Sequence, residues 1–255
     1  MLRLFNKIFV HKDSSYEHLE NGDLSECVQS NYFTENDNYI DSYENALISA
    51  PERVTRHVGN FSNLKMLIIA DLHGHFRNYE RELKNISETD YDICLLLGDN
   101  SKPDLENVLK YVSLDKIIGV LGNHDERYYY DMFGITNIAG KMVECKGVKF
   151  TGIEGCVAYK TNMPGFKSQE DSLFFADKLP AANILISHSN PFLSGYTDDI
   201  HDGLMGVTKY LYKNQVTLCI HGHIHENKSY TLKNGTTVLS CYGIQLVTLK
   251  NVVKE

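Results

Sequence analysis

Five short stretches of this chain carry side chains that can hold a cation or move a proton. They are Asp71-Leu72-His73-Gly74-His75, Gly98-Asp99-Asn100, Gly122-Asn123-His124-Asp125, Ser187-His188 and His221-Gly222-His223-Ile224-His225. Their shared chemistry is carboxylate, amide oxygen and imidazole, with no thiolate. Such a set suits Mn, Fe, Zn or Ni in mixed nitrogen and oxygen coordination and disfavours a thiolate-rich structural zinc site. In a His-x-His pair at a strand end, the two rings point the same way and reach adjacent ligand positions. The donors are more numerous than one four-coordinate ion can use. Two ions about 3.5–4 Å apart, bridged by one carboxylate and a water, would use them all. Taken singly, each stretch is as readily a helix cap or a turn rich in residues that tolerate left-handed backbone; the joint occurrence carries the reading.

The elements that must position these residues follow from the apolar pattern. Each stretch ends a short apolar run: Met66 to Ala70, Ile93 to Leu97, Ile117 to Leu121, Ile184 to Ile186 and Val216 to Ile220. These runs read as strands alternating with helices whose faces are marked by Phe76, Tyr79, Leu83 and Ile86, by Leu105, Val108, Leu109 and Val112, and by Leu204, Val207 and Leu211. In open α/β sheets, ligands bind at the carboxyl ends of strands, so the five stretches are expected to converge. Hairpins are predicted around Lys146-Gly147 and around Asn234-Gly235, the latter as a type I′ turn, with a last strand over Gln245 to Leu249. The first half thus reads as parallel and the second as antiparallel, and two stacked mixed sheets covered by helices is the simplest packing.

The ordered set Asp71-x-His73, Gly98-Asp99, Gly122-Asn123-His124-Asp125, His188 and Gly222-His223-x-His225 resembles the calcineurin-like metallophosphoesterase superfamily, over roughly Lys65 to Leu249. The resemblance implies a four-layer αββα sandwich of two mixed sheets flanked by helices. It implies that Asp71, His73 and His225 hold one metal ion, that Asn123, His188 and His223 hold the other, and that Asp99 bridges. Two divalent ions, Mn²⁺ first and Fe, Zn or Ni as alternatives, would supply a hydroxide near neutral pH. His124 is expected to protonate the leaving alkoxide or donate to a phosphoryl oxygen, with Asp125 holding its other nitrogen. His75 and His201 are candidate substrate contacts, with a simple helix start the favoured alternative for His75. Asp202 is read equally as a rim residue or as a helix cap, and Tyr159 and Phe166 as parts of a rim loop. His221 reads as a strand-end residue beside the ligands. Asn100 and Ser101 after Asp99 depart from the run expected of Ser/Thr protein phosphatases. The expected activity is a metal-dependent phosphoesterase, a phosphodiesterase before a broad phosphomonoesterase, with a non-catalytic binding module on the same fold, as in retromer-type relatives, as the alternative.

Composition sets the remaining bounds. The 255 residues carry a net charge of −8, which argues against a large nucleic-acid surface, although bound cations can make a site positive inside an acidic protein. The expected substrate is therefore a small phosphate ester. Residues 1–62, rich in Asp, Glu, Asn, Ser and Tyr, read as a polar arm of unassigned role, and residues 63–255 as the metallophosphoesterase domain. Met1 to Val10 reads as a short packing segment or, less favoured, an amphipathic surface helix. Six scattered cysteines without a C-x-x-C pair, together with no run long enough for a membrane span, point to a cytoplasmic protein. A homodimer is allowed by the sequence without being specified by it.

Overall fold

In a computed structural model, the structure describes residues 3–7, 63–192, 201–214 and 216–250. Among them, one six-stranded sheet contains β1 (Arg3–Lys7), β2 (Leu64–Ala70), β3 (Ile93–Leu96), β4 (Ile117–Gly119), β5 (Thr136–Asn137) and β14 (Gly243–Lys250). A second contains β6 (Met142–Cys145), β7 (Val148–Ile153), β10 (Ile184–Ser187), β11 (Leu218–His221), β12 (Lys228–Thr231) and β13 (Thr237–Ser240). A two-stranded pair, β8 (Cys156–Val157) and β9 (Gly165–Phe166), stands apart. The strand orders are β1-β14-β2-β3-β4-β5 and β12-β13-β11-β10-β7-β6.

The strands β2, β3, β4, β10 and β11 are buried on both faces, which explains why they read as continuous apolar runs rather than as alternating ones. Along β2, Leu64, Met66 and Ile68 face the core between the sheets, where they meet Ile186, Leu218 and Ile220 of the second sheet. Leu67 and Ile69 face the other way and pack with Leu83, Leu105, Val108 and Tyr130. Those four residues come from α1 (Glu80–Lys84), α2 (Lys102–Val108) and α3 (Tyr129–Phe133), so the helices cover the first sheet. On the outer face of the second sheet, Leu185 and Cys219 pack under Ala176 of α4 (Gln169–Lys178) and Val207, Tyr210 and Leu211 of α5 (Met205–Lys213). Three apolar layers therefore separate four layers of secondary structure, the architecture expected. Truncating Ile68, fully enclosed between the sheets, to Ala would cost ~2–5 kcal/mol.

Several local expectations are corrected. Parallel and antiparallel strands do not divide between the halves of the chain. β7, β10, β11 and β13 run parallel, with β6 and β12 antiparallel at the two edges. β14 returns antiparallel between β1 and β2 in the first sheet. The hairpins β6–β7 and β12–β13 each place one strand at an outer edge of the second sheet. The turn at Asn234-Gly235 is not type I′. Only Gly235 has positive φ (80°), and Leu232 exchanges hydrogen bonds with Gly235 and Thr236, giving a three-residue loop with a left-handed glycine. Asn234 instead donates to the Leu211 carbonyl. Arg3–Lys7 forms neither a helix nor a packing turn but a strand on the outer edge of β14. The rest of the polar arm, residues 1–2 and 8–62, lies outside the described residues. Among those described, no helix is long and apolar enough to cross a membrane, and Cys94, Cys145, Cys156, Cys219 and Cys241 are unpaired thiols.

Candidate metal centre

The strands β2, β3, β4, β10 and β11 deliver their polar ends to one place, as their parallel direction requires. Asp71, His73 and His225 place ligand atoms within 4.8 Å of one another, and so do Asp71, Asp99 and His188. The Asp99 carboxylate lies between these groups: its Oδ2 is 3.6 Å from His73 Nε2 and 3.6 Å from His188 Nε2. Its other oxygen, Oδ1, accepts from the His124 main-chain N–H at 2.8 Å. One oxygen is thus fastened to backbone while the other faces two imidazoles equally, as a carboxylate shared by two ions would.

On one side, His225 Nε2 is 3.0 Å from His73 Nε2 and 3.7 Å from Asp71 Oδ1. On the other, His188 Nε2 is 2.7 Å from Asn123 Oδ1. The Nδ1 of His188 is 2.8 Å from the Leu97 carbonyl, which places its proton on Nδ1 and leaves a lone pair on Nε2. A cation coordinated by both atoms would offset the repulsion between two acceptors this close. The His223 ring centroid is 4.9 Å from that of His188, and its main-chain N–H donates to Asp71 at 3.0 Å. The donor chemistry therefore fits two divalent cations. Asp71, His73 and His225 could hold one, Asn123, His188 and His223 the other, with Asp99 between.

Local backbone carries the mark of this arrangement. Asp71, His73, Asp99, His223 and His225 all have left-handed φ, at 55°, 47°, 53°, 73° and 49°. Such non-glycine conformations cost of order 1–3 kcal/mol each and persist where the surroundings over-determine them. Close approach explains two of the motif glycines. A Cβ on Gly122 would sit 2.1 Å from Asp99 Oδ1, and one on Gly222 would sit 2.5 Å from Asp71 Oδ2. Either substitution would push a carboxylate out of place.

Burial sets the electrostatics. Asp71 is held well above the usual carboxylate range, first by desolvation and then by the charge of Asp99, against the His223 N–H. Burial would also raise Asp99, but His188, the His124 N–H and the His124 and His73 rings together bring it below its ordinary value. His73 and His225 are lowered, mainly by burial and then by neighbouring rings, which favours the neutral imidazoles that bind metals. His221 is fully buried and pushed down to about 4 by desolvation; its Nδ1 faces the Gly222 carbonyl at 2.9 Å. It lies beside the ligands and outside both donor groups, as the sequence suggested.

The remaining expected residues divide. His124 reaches the site, with its ring 5.3 Å from that of His73. Asp125 does not hold His124. Its carboxylate turns inward and accepts from the N–H groups of Gly122 (2.7 Å), Asn100 (2.9 Å) and Asp99 (3.0 Å). Three main-chain donors outcompete one imidazole because a buried carboxylate needs several hydrogen bonds. Asp125 therefore ties two ligand turns together. His201 does come to the site, its ring 5.1 Å from that of His223. His75 is exposed at the start of the 3₁₀ turn Phe76–Asn78, and its side chain caps nothing. Asp202 is not the cap of α5: Leu204 occupies that position, and Gln169 and Ser172 of α4 accept the first N–H groups. Of the expected rim loop, Tyr159 reaches Asn123 and His124, whereas Phe166 packs on Phe175.

Sequence reasoning missed Asp104. It is 1% exposed and accepts from the N–H groups of Gly74 (2.6 Å) and Phe76 (3.0 Å), while Ser101 donates to it through both N–H and hydroxyl. The capping box Ser101-x-x-Asp104 was the available signal; its reach to the Asp71–Phe76 turn was not.

Residues 64–227 match the family model described as calcineurin-like phosphoesterase. Comparison with curated proteins returns no match. One crystal structure aligns over 75% of this chain and 100% of the other, at 12% identity and a TM-score of 0.57, a likeness of fold alone. A Thermus thermophilus protein matches at 14% identity over 71% of this chain and 90% of that one, with a TM-score of 0.49. A dimetal phosphatase from Danio rerio matches at 13% identity over 71% and 87%, also at 0.49.

Proposed function

Since the chain belongs to the calcineurin-like phosphoesterase family, we propose that its strand-end site is a dinuclear metal centre that hydrolyses a small phosphate ester, with a diester as the preferred substrate and Mn²⁺ as the preferred ion. The observation that carries this reading is Asp99 Oδ2 at 3.6 Å from imidazole nitrogens of both ligand groups. When bound, two divalent ions supply a hydroxide near neutral pH and neutralise charge on the phosphoryl oxygens. Asp71, His73 and His225 would hold the first ion and Asn123, His188 and His223 the second, with Asp99 shared between the two groups. The chain's acidic balance is no obstacle, because the positive charge at the centre is not its own.

The protein's own contribution is placement and one proton. The His124 N–H fixes Asp99 from behind, while the His124 ring stands at the mouth beside His73. From there Nε2 donates a proton to the leaving alkoxide. His201 borders the substrate beside His223, and Tyr159 borders it near His124. Residues 63–255 form the metallophosphoesterase domain, and residues 1–62 keep no assigned role beyond β1.

The test is metal analysis of the purified chain combined with hydrolysis of aryl phosphate mono- and diesters in Mn²⁺. About two divalent ions per chain and turnover of the diester are expected, with His124→Ala lowering turnover by roughly 100-fold while metal content stays the same. Two bound ions with no turnover of either ester would favour the binding module instead.

A further inference from the structure

Resting on the metal-centre reading, we propose that Tyr159 is a positioning residue: its hydroxyl fixes the Asn123 carboxamide so that the oxygen faces His188, and it steadies the His124 ring beside it. Asn123 Nδ2 donates to the Tyr159 hydroxyl at 2.9 Å, and His124 Nε2 lies 3.5 Å from the same oxygen. One hydroxyl therefore meets an expected metal ligand and the expected proton donor, which are consecutive in the chain.

The orientation of a carboxamide matters here more than at an ordinary hydrogen bond. Its two ends are nearly the same size, but only the oxygen can bind a cation. With Oδ1 at 2.7 Å from the lone pair of His188 Nε2, the ligand end is set against another acceptor. The flipped amide would instead donate to that nitrogen and close the position to an ion. With Nε2–H of His124 and Nδ2–H of Asn123 both directed at the hydroxyl, its two lone pairs are taken, so it holds the Nδ2 end and sends Oδ1 to His188.

The segment carrying Tyr159 is fastened to the same turn at further points. The Gly155 N–H donates to the Leu121 carbonyl at 2.8 Å, and Arg127 Nη2 donates to the Met163 carbonyl at 2.6 Å. Tyr159 is 48% exposed, so its hydroxyl is not a packing requirement and Tyr159→Phe leaves the fold intact.

The test is calorimetric titration of the full-length, chelator-stripped chain with MnCl₂, wild type against Tyr159→Phe. Two binding steps are expected in the wild type. The variant should keep the first and weaken the second by about tenfold, the usual effect of losing a group that orients a ligand. The retained first step also reports that the variant is folded. With an aryl diester, kcat should fall several-fold with KM nearly constant. Two unchanged steps, or both weakened equally, would overturn the proposal. Two ions bound without hydrolysis by the wild type would sink the hydrolase reading and leave the isotherms to decide on Tyr159. A wild-type chain that binds no ion would overturn both.

Discussion

The two ends of the strands treat a carboxylate in opposite ways. At the carboxyl ends, Asp71 and Asp125 are buried, lie near another acid and are raised well above their ordinary values. At the amino ends, Asp92 pairs with Lys146 at 2.6 Å and accepts the Lys65 N–H at 2.9 Å. It is held below its ordinary value by these partners although partial burial pulls upward. The acid that only supports the fold has its counter-charge in the chain. Asp71 and Asp125 have main-chain N–H groups and a neighbouring acid, an arrangement that leaves the opposite charge to be supplied from outside. Perturbed acids of this kind mark functional positions.

The largest effect should come from breaking a strut at the site end. Asp125→Ala leaves three buried N–H groups without an acceptor, each worth about 1–3 kcal/mol, so a loss of ~3 kcal/mol or more is expected. Thermal unfolding should shift downward by about 6–12 °C. A shift under about 2 °C would remove Asp125 from that role.

A middle-sized effect separates the two ends by pH. A raised carboxyl contributes stability that is complete below its unfolded pKa of about 3.9 and is lost as pH rises through the folded value. The chelator-stripped chain should therefore be progressively less stable from about pH 4 toward neutrality on account of Asp71 and Asp125, and Mn²⁺ should reverse the loss. Asp71→Asn should flatten part of that slope in melting curves. A slope identical to wild type would show that Asp71 is not strained by its own charge.

The smallest effect belongs to the amino end, with the opposite sign. Asp92, being depressed, contributes above its unfolded pKa, and that contribution disappears as pH falls through the folded value. Lys146 is 44% exposed, so solvent screening limits the pair. Lys146→Ala should cost about 0.5–1 kcal/mol at neutral pH and nothing near pH 2 by denaturant titration, with metal content untouched. A drop in metal content would join the two ends that are here set apart.

Much of the site was legible because its candidate ligands are bound to short spacings. Asp71-x-His73 and His223-x-His225 announce themselves, and each follows an apolar run long enough to be a buried strand. Asp104 was harder to see. Its role is to accept N–H groups from a turn about 30 residues earlier in the chain, and a local capping box says nothing about what else its acceptor reaches. The partner of Asp125 was misread for a related reason. Adjacency in sequence suggested His124, while three converging N–H groups offered a buried carboxylate more. The turn at Asn234-Gly235 followed the neighbouring contact with Leu211 rather than the dipeptide preference.

The sequence by itself determined the strand runs, the ligand types and their order, because periodicity and spacing are local and each donor is covalently tied to its strand. Only the tertiary structure decided that β14 returns between β1 and β2, that Asp99 stands midway between two imidazole groups, that Asp104 and Asp125 are struts, and that Tyr159 meets Asn123. Those facts depend on which turns approach one another across the sheets. The approach is set by packing of three apolar layers and by the need of buried carboxylates for every available N–H, neither of which is written in any single stretch of the chain.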